Sequence, residues 1–288
     1  MVSIDFDIDR YLRVSNRVET NDIDWSKVRE HPLTDADIRV LSYMMDTEYH
    51  TVLYLRELLQ TSCSIDPDVT AFMSCWNFEE LWHGEALARF LREYGVPGVD
   101  QRTVNLRKAN RLRFALDQMK FLAYSTFVYD FVAISMTWGA LNELTACYAY
   151  KRLMEQSGHP VLQQLLPRLI KQERRHFAFY FGQAKKRMAR RPYVPWMVRE
   201  VVDHVWKPVG SGLVDEREVD FVMLYLFDSP EGRLALTEID EQFCGLPGMT
   251  DANPLRRFHA AAARRWEGKQ PARHVVPPRS LEPLSAVL

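Results

Sequence analysis

Two copies of Glu-x-x-His stand in this 288-residue chain: Glu80-Leu81-Trp82-His83 and Glu173-Arg174-Arg175-His176. A spacing of three brings both side chains to one face of a helix, about one turn apart. Each copy follows a carboxylate in apolar surroundings. Glu48 has Met44, Met45, Val52 and Leu55 at helical spacing, and Glu143 has Met136, Gly139, Ala140 and Cys147. One motif alone arises by chance on charged helix surfaces. All six residues in the order Glu, Glu-x-x-His, Glu, Glu-x-x-His suit a pair of divalent metal ions. Four carboxylates balance four positive charges, two imidazoles complete the ligand sets, and positions stay open for a small molecule. Without metal, four carboxylates inside an apolar bundle would repel one another and lose their hydration. Other acids compete poorly: Glu79 is expected to point about 100° away from Glu80, and Glu57, Glu85, Glu93 and Glu155 to be solvated.

The elements that must position these residues read as helices. Thr34-Asp-Ala-Asp offers a cap for a first long helix, whose apolar residues Leu41, Met44, Met45, Val52 and Leu55 recur at helical spacing. Pro67 opens a second, which stops at Gly95 and Pro97. Residues 98–112 are polar and basic and read as a crossover. A third helix is expected over about 113–157 and a fourth from Val161 to about Arg190. Glu48 precedes Glu80 by 32 residues and Glu143 precedes Glu173 by 30. Both intervals fit an antiparallel helix pair with a short loop. Shorter helices follow in VPWMVREVVDHVWKP, DEREVDFVMLYLF, EGRLALTEIDEQF and PLRRFHAAAARRWEG. The chain thus divides into an irregular segment 1–34, a bundle 35–190, a helical extension 191–268 packed on it, and an extended Pro-rich tail 269–288. The fold class is all-α.

Composition sets the outer limits. Lys and Arg number 37 against 38 Asp and Glu, a net charge of -1, so no global field attracts nucleic acid or anionic lipid. Twelve glycines are few for a β-sandwich or a Gly-rich phosphate loop. Cys63, Cys75, Cys147 and Cys244 form no CxxC pair, which disfavours a disulfide framework or structural zinc and suits a reducing, cytoplasmic setting. The acidic N-terminal stretch is unlike a signal peptide. Phe121–Leu141 is about as long as a membrane span. With Asp130 at its middle and Glu143 at its end, it reads instead as a buried central helix of the bundle.

The ligand order is similar to that of the carboxylate-bridged di-iron site in a ferritin-like four-helix bundle. Within that class the chain resembles the soluble acyl-[acyl-carrier-protein] desaturases, in a divergent bacterial form. The resemblance lies in Asp46-Thr47-Glu48, in Trp76-Asn77-Phe78-Glu79-Glu80-Leu81-Trp82-His83-Gly84, in Asn142-Glu143 and in Gln172-Glu173-Arg174-Arg175-His176. It spans about residues 35–190 and is specific at the ligands and loose between them. It implies two iron ions with O₂ as co-substrate, and neither haem nor flavin. Glu80 and Glu173 would bridge the irons. Glu48 and His83 would complete one, and Glu143 and His176 the other. It further implies an acyl chain held on a carrier protein, an external electron donor such as ferredoxin, and a homodimer. The desaturases carry an aspartate in their proposed electron relay where this chain has Gln172, which leaves the electron route and the reaction outcome open. The radical-bearing subunit of ribonucleotide reductase has a tyrosine where Leu87 stands here. Ferritins are much shorter.

Ligands alone do not choose between desaturation, hydroxylation and N-oxygenation; the position of the C–H bonds does. A non-catalytic iron-binding or ferroxidase role shares the same residues. Met45, Val52, Phe72, Trp76, Met136, Gly139 and Phe177 lie one or two turns from the ligands and are candidate channel residues. Gly139 could leave room for a ligand in an apolar helix. Tyr180, seven residues past Glu173, shares its face and is a candidate redox group. An acidic carrier protein would meet Arg102, Arg107, Lys108, Arg111 and Arg113 before the third helix, or Lys185, Lys186, Arg187, Arg190 and Arg191 at the end of the fourth. Arg174 and Arg175, beside a ligand, are placed to pair with nearby carboxylates.

Overall fold

Capping residues set the helix boundaries. Thr34 and Asp37 form a reciprocal capping box at the start of helix α2 (Asp35–Leu59), a device that stabilises a helix by about 0.5–2 kcal/mol. Asp66 caps α3 (Pro67–Tyr94), which carries proline in its first turn and ends at Gly95 with φ 88°. That left-handed conformation is open to glycine at little cost. His159 caps α7 (Pro160–Met188) through a side-chain bond from the Val161 amide. The computed structural model describes residues 6–128, 130–266 and 275–276. The remaining helices are α1 (Ile8–Val14), α4 (Val99–Ala109), α5 (Arg111–Phe127), α6 (Phe131–Ser157), α8 (Tyr193–His204), α9 (Glu216–Phe227), α10 (Pro230–Phe243) and α11 (Pro254–Trp266). Leu33–Thr34 pairs antiparallel with Val275–Val276. The rest of the expected tail lies outside the described residues.

The protein is all-α. α2 packs along α3 and α6 along α7, each pair joined by a short connection and therefore antiparallel. α3 also meets α7, and α2 meets α6. Their inner faces share one apolar core with Val194 and Val198 of α8, Leu226 of α9, Ile239 of α10 and Leu255 of α11. The C-terminal helices are thus part of the same packed body. No helix of the described residues is long and apolar enough to cross a membrane.

Three expectations need correction. Residues 98–112 are helical over most of their length, as α4, despite a polar sequence. Residues 6–34 are partly ordered into α1 and a 3₁₀ turn at Trp25–Arg29. The expected third helix is two. α5 ends at Phe127, and Asp130, with φ 59°, starts α6. No residue of α5 is buried, and Leu112, Met119, Tyr124 and Phe127 are exposed. The first part of Phe121–Leu141 is therefore an outer helix, and only the part within α6 lies in the core.

Candidate metal centre

Glu48 on α2, Glu80 and His83 on α3, Glu143 on α6, and Glu173 and His176 on α7 converge between the four long helices, and all six are buried. They fall into two groups whose ligand atoms lie within 4.8 Å of one another: Glu48, Glu80, His83 and Glu173, and Glu80, Glu143, Glu173 and His176. Glu80 and Glu173 belong to both. His83 Nδ1 lies 3.0 Å from Glu173 Oε1, 3.7 Å from Glu48 Oε2 and 3.8 Å from Glu80 Oε2. His176 Nδ1 lies 3.0 Å from Glu80 Oε1, 3.1 Å from Glu173 Oε2 and 3.5 Å from Glu143 Oε2. The helical spacing of three in each motif, with α3 and α7 in contact, produces this near-twofold arrangement.

Each group could hold a metal ion, and its donors fit one. Glu48 Oε2, Glu80 Oε1, Glu173 Oε1 and His83 Nδ1 are buried and, beyond these contacts inside the cluster, have no other hydrogen-bond partner. A buried polar atom without a full set of partners costs about 1–3 kcal/mol. Hard carboxylate oxygens with imidazole nitrogens suit iron or manganese.

Burial drives the Glu48 and Glu143 carboxyls well above the usual range, and the neighbouring carboxylates push the same way. Burial also opposes ionisation of Glu80 and Glu173, but bonds from Glu48 and both imidazoles hold Glu80 well below that range, and His83 and His176 hold Glu173 below it. Both imidazoles are raised well above their ordinary value. Burial works against this, and the surrounding carboxylates outweigh it. Metal binding to such a cluster would be coupled to the release of protons.

A ring of outer partners orients these groups. Trp76 Nε1 donates to Glu143 Oε1 at 3.0 Å, and the Tyr150 hydroxyl donates to Glu48 Oε1. Behind the histidines, His176 Nε2 meets Glu79 Oε2 at 2.7 Å and His83 Nε2 meets Gln172 Oε1 at 2.7 Å. Glu79, expected to point away, is fully buried and also accepts from the Tyr11 hydroxyl, the Asn16 amide and Arg175. Its turn of 100° from Glu80 aims it at α7 and the N-terminal segment, not at solvent. Arg175 makes the expected carboxylate pair, whereas Arg174 is exposed. Sequence reasoning missed Glu79, Tyr150, Tyr11 and Asn16. Tyr150 carried a legible signal, since it lies seven residues past Glu143 as Tyr180 does past Glu173. Asn16 carried none.

A cavity of about 830 Å³ runs from Glu48, Glu143 and Glu173 outward between α2, α5, α6, α8 and α9. Trp76, Gly139 and Tyr180 line it, with Phe121, Ile134, Trp138 and Trp196. Other channel candidates lie elsewhere. Met45, Phe72 and Met136 are sealed in the core, and Phe177 packs against Phe181. Val52 is exposed and lines a separate groove with Arg107. Gly139 does not leave room for a ligand: the Tyr180 ring takes the space, 2.5 Å from where a Cβ would stand. Glu57, expected in solvent, is half-buried on the cavity wall, and Glu85 accepts from Tyr49.

The basic clusters are partly committed. Arg102 pairs with Asp46, Arg107 donates to the Tyr49 carbonyl, Arg113 lies near Asp117 and Arg187 binds Asp66. Lys108, Arg111, Lys185 and Lys186 are exposed. Comparison of the chain with protein-family models, with curated proteins and with solved structures finds no match.

Proposed function

We propose that the chain is an O₂-dependent non-haem di-iron oxidase built on a ferritin-like bundle, acting on an organic substrate with an apolar reacting portion. The observation that carries this is the pair of buried ligand groups sharing Glu80 and Glu173, with Glu48 Oε2, Glu80 Oε1 and Glu173 Oε1 lacking hydrogen-bond partners beyond the cluster. Glu48, Glu80, His83, Glu143, Glu173 and His176 would hold the two irons, which when bound would pass electrons from an external donor to O₂ and so supply the oxidising power for C–H oxidation.

The chain's own residues do the rest. Trp76 and Tyr150 each occupy one oxygen of Glu143 and Glu48, leaving the other oxygen for a metal. Phe72, Phe179 and Tyr180 pack an apolar wall that keeps water from the His176 side. The cavity reaches three ligands and is large enough for a drug-sized molecule. This favours an enzyme over an iron-storage or ferroxidase protein. Within that class the proposed reaction is desaturation of an acyl chain, delivered on a carrier protein that docks at Lys108, Arg111, Lys185 and Lys186, with an external donor such as ferredoxin. Hydroxylation or N-oxygenation at the same centre is the alternative.

Anaerobic loading with ferrous iron tests the centre: two ions per chain are expected, and Glu80→Ala or His176→Ala should lose them. Absence of bound metal after such loading would sink the proposal. Reaction of the reduced protein under ¹⁸O₂ then separates the outcomes, since label retained in product excludes simple desaturation.

A further inference from the structure

We infer that the two metal positions are unequal: the one completed by His176 binds first and more tightly, and the one completed by His83 is the exchangeable one. This rests on the two-metal reading above. Both histidines turn Nδ1 toward the shared carboxylates and Nε2 outward, each to an oxygen at 2.7 Å. The acceptors differ. Behind His176 stands Glu79, fully buried and bonded also by Arg175 and the Tyr11 hydroxyl. Behind His83 stands Gln172. The Gln172 Nε2 donates to the Asn16 carbonyl at 2.8 Å, which leaves its oxygen facing the imidazole. With a metal at Nδ1, both rings would carry their proton on Nε2, bonded to these acceptors.

A carboxylate behind an imidazole N–H draws the proton outward and makes the other nitrogen a stronger donor; a neutral amide does so far less. Arg175 offsets part of the Glu79 charge, but its side chain is 26% exposed whereas Glu79 is sealed, so water screens the arginine more. Changing such an outer partner typically alters metal affinity about 10–100-fold. That range is the expected separation between the two positions.

The test is an anaerobic titration of the metal-free protein with Co²⁺, followed by visible absorption and by competition with a chelator. Two steps are expected, about 10–100-fold apart. Glu79→Gln should weaken the tight step by that factor and bring the two together. Gln172→Glu should strengthen the weak step. Should Glu79→Gln fail to fold, Gln172→Glu still decides, because it puts a carboxylate behind His83, the oxygen that replaces Nε2 giving up the bond to the Asn16 carbonyl. Two equal steps in the unaltered protein, or a weak step that does not move in Gln172→Glu, overturn the inference while leaving the two-metal centre intact. Failure to bind a second ion at saturation overturns both.

Discussion

Substituting Gly139 by alanine sets one methyl group against one ring. The new Cβ would stand 2.5 Å from Cδ1 and Cε1 of Tyr180 and 2.8 Å from its Cγ. Carbon atoms rest at about 3.5–4.0 Å, so the ring must retreat by about 1 Å. Phe72 and Trp76 abut it edge-on, at centroid distances of 5.0 and 6.0 Å, and block retreat toward the core. The open direction is the cavity. Overpacking of this kind costs about 1–3 kcal/mol, and replacing a mid-helix glycine returns about 0.5–1 kcal/mol, leaving a net loss of up to about 2.5 kcal/mol with its centre at about 1 kcal/mol. Urea unfolding of the metal-free protein, followed by helical circular dichroism, should show a lower midpoint for Gly139→Ala. In a Tyr180→Ala background the same substitution should cost nothing or stabilise, a coupling of about 1–3 kcal/mol. A midpoint at or above that of the unaltered protein, or an equal cost in both backgrounds, would refute the packing account.

Burial pushes the Glu57 carboxyl up to about 7 from an ordinary 4.5. Its contribution is therefore fully present below about pH 4.5 and is lost as pH rises through 7. Glu57→Gln should match the parent in acid and exceed it in stability at pH 8, and a difference that does not vary with pH would contradict this. Asp66 caps α3 and binds the buried Arg187. Asp66→Ala should lower stability by about 0.5–2 kcal/mol for the cap and about 1–3 kcal/mol for the orphaned guanidinium, with Asp66→Asn in between. Unfolding midpoints that do not rank in that order argue against it. Tyr150→Phe removes the donor to Glu48 and should weaken metal binding about 10–100-fold in chelator competition; unchanged affinity would mean that Glu48 is oriented by its helix alone.

The six clustered residues were legible because Glu-x-x-His is a statement about one helix face, and two such faces with two further carboxylates leave few ways to pack. The starts of α2 and α3 were legible through Thr34 and Pro67. The break at residues 128–130 was not. Leu112, Leu116, Met119 and Leu122 have the composition of a core helix, and composition does not say which side of the bundle a helix occupies. The second role of Glu79 was passed over for a related reason. A rotation of 100° leaves one interface, but in a crowded bundle it enters another, here with α7 and the N-terminal segment. α4 was read as a crossover because a polar helix that buries little more than Val99 has no apolar stripe to show.

The bonds that join Tyr11 and Asn16 to the bundle also favour an order of assembly. Their partners Glu79 and Gln172 lie 68, 63 and 156 residues further along. The N-terminal segment therefore leaves the ribosome before either partner exists, and closing loops of this length is entropically slow. α2 with α3, and α6 with α7, can pair through short connections first. The segment then docks onto a bundle that already holds the six ligands, and its arrival fixes Gln172 and Glu79 behind the two imidazoles. Until it docks, Glu79 and Gln172 lack the bonds to Tyr11 and Asn16 that hold them behind the two imidazoles. The donors of the centre are thus steadied by residues far from the ligands in the chain.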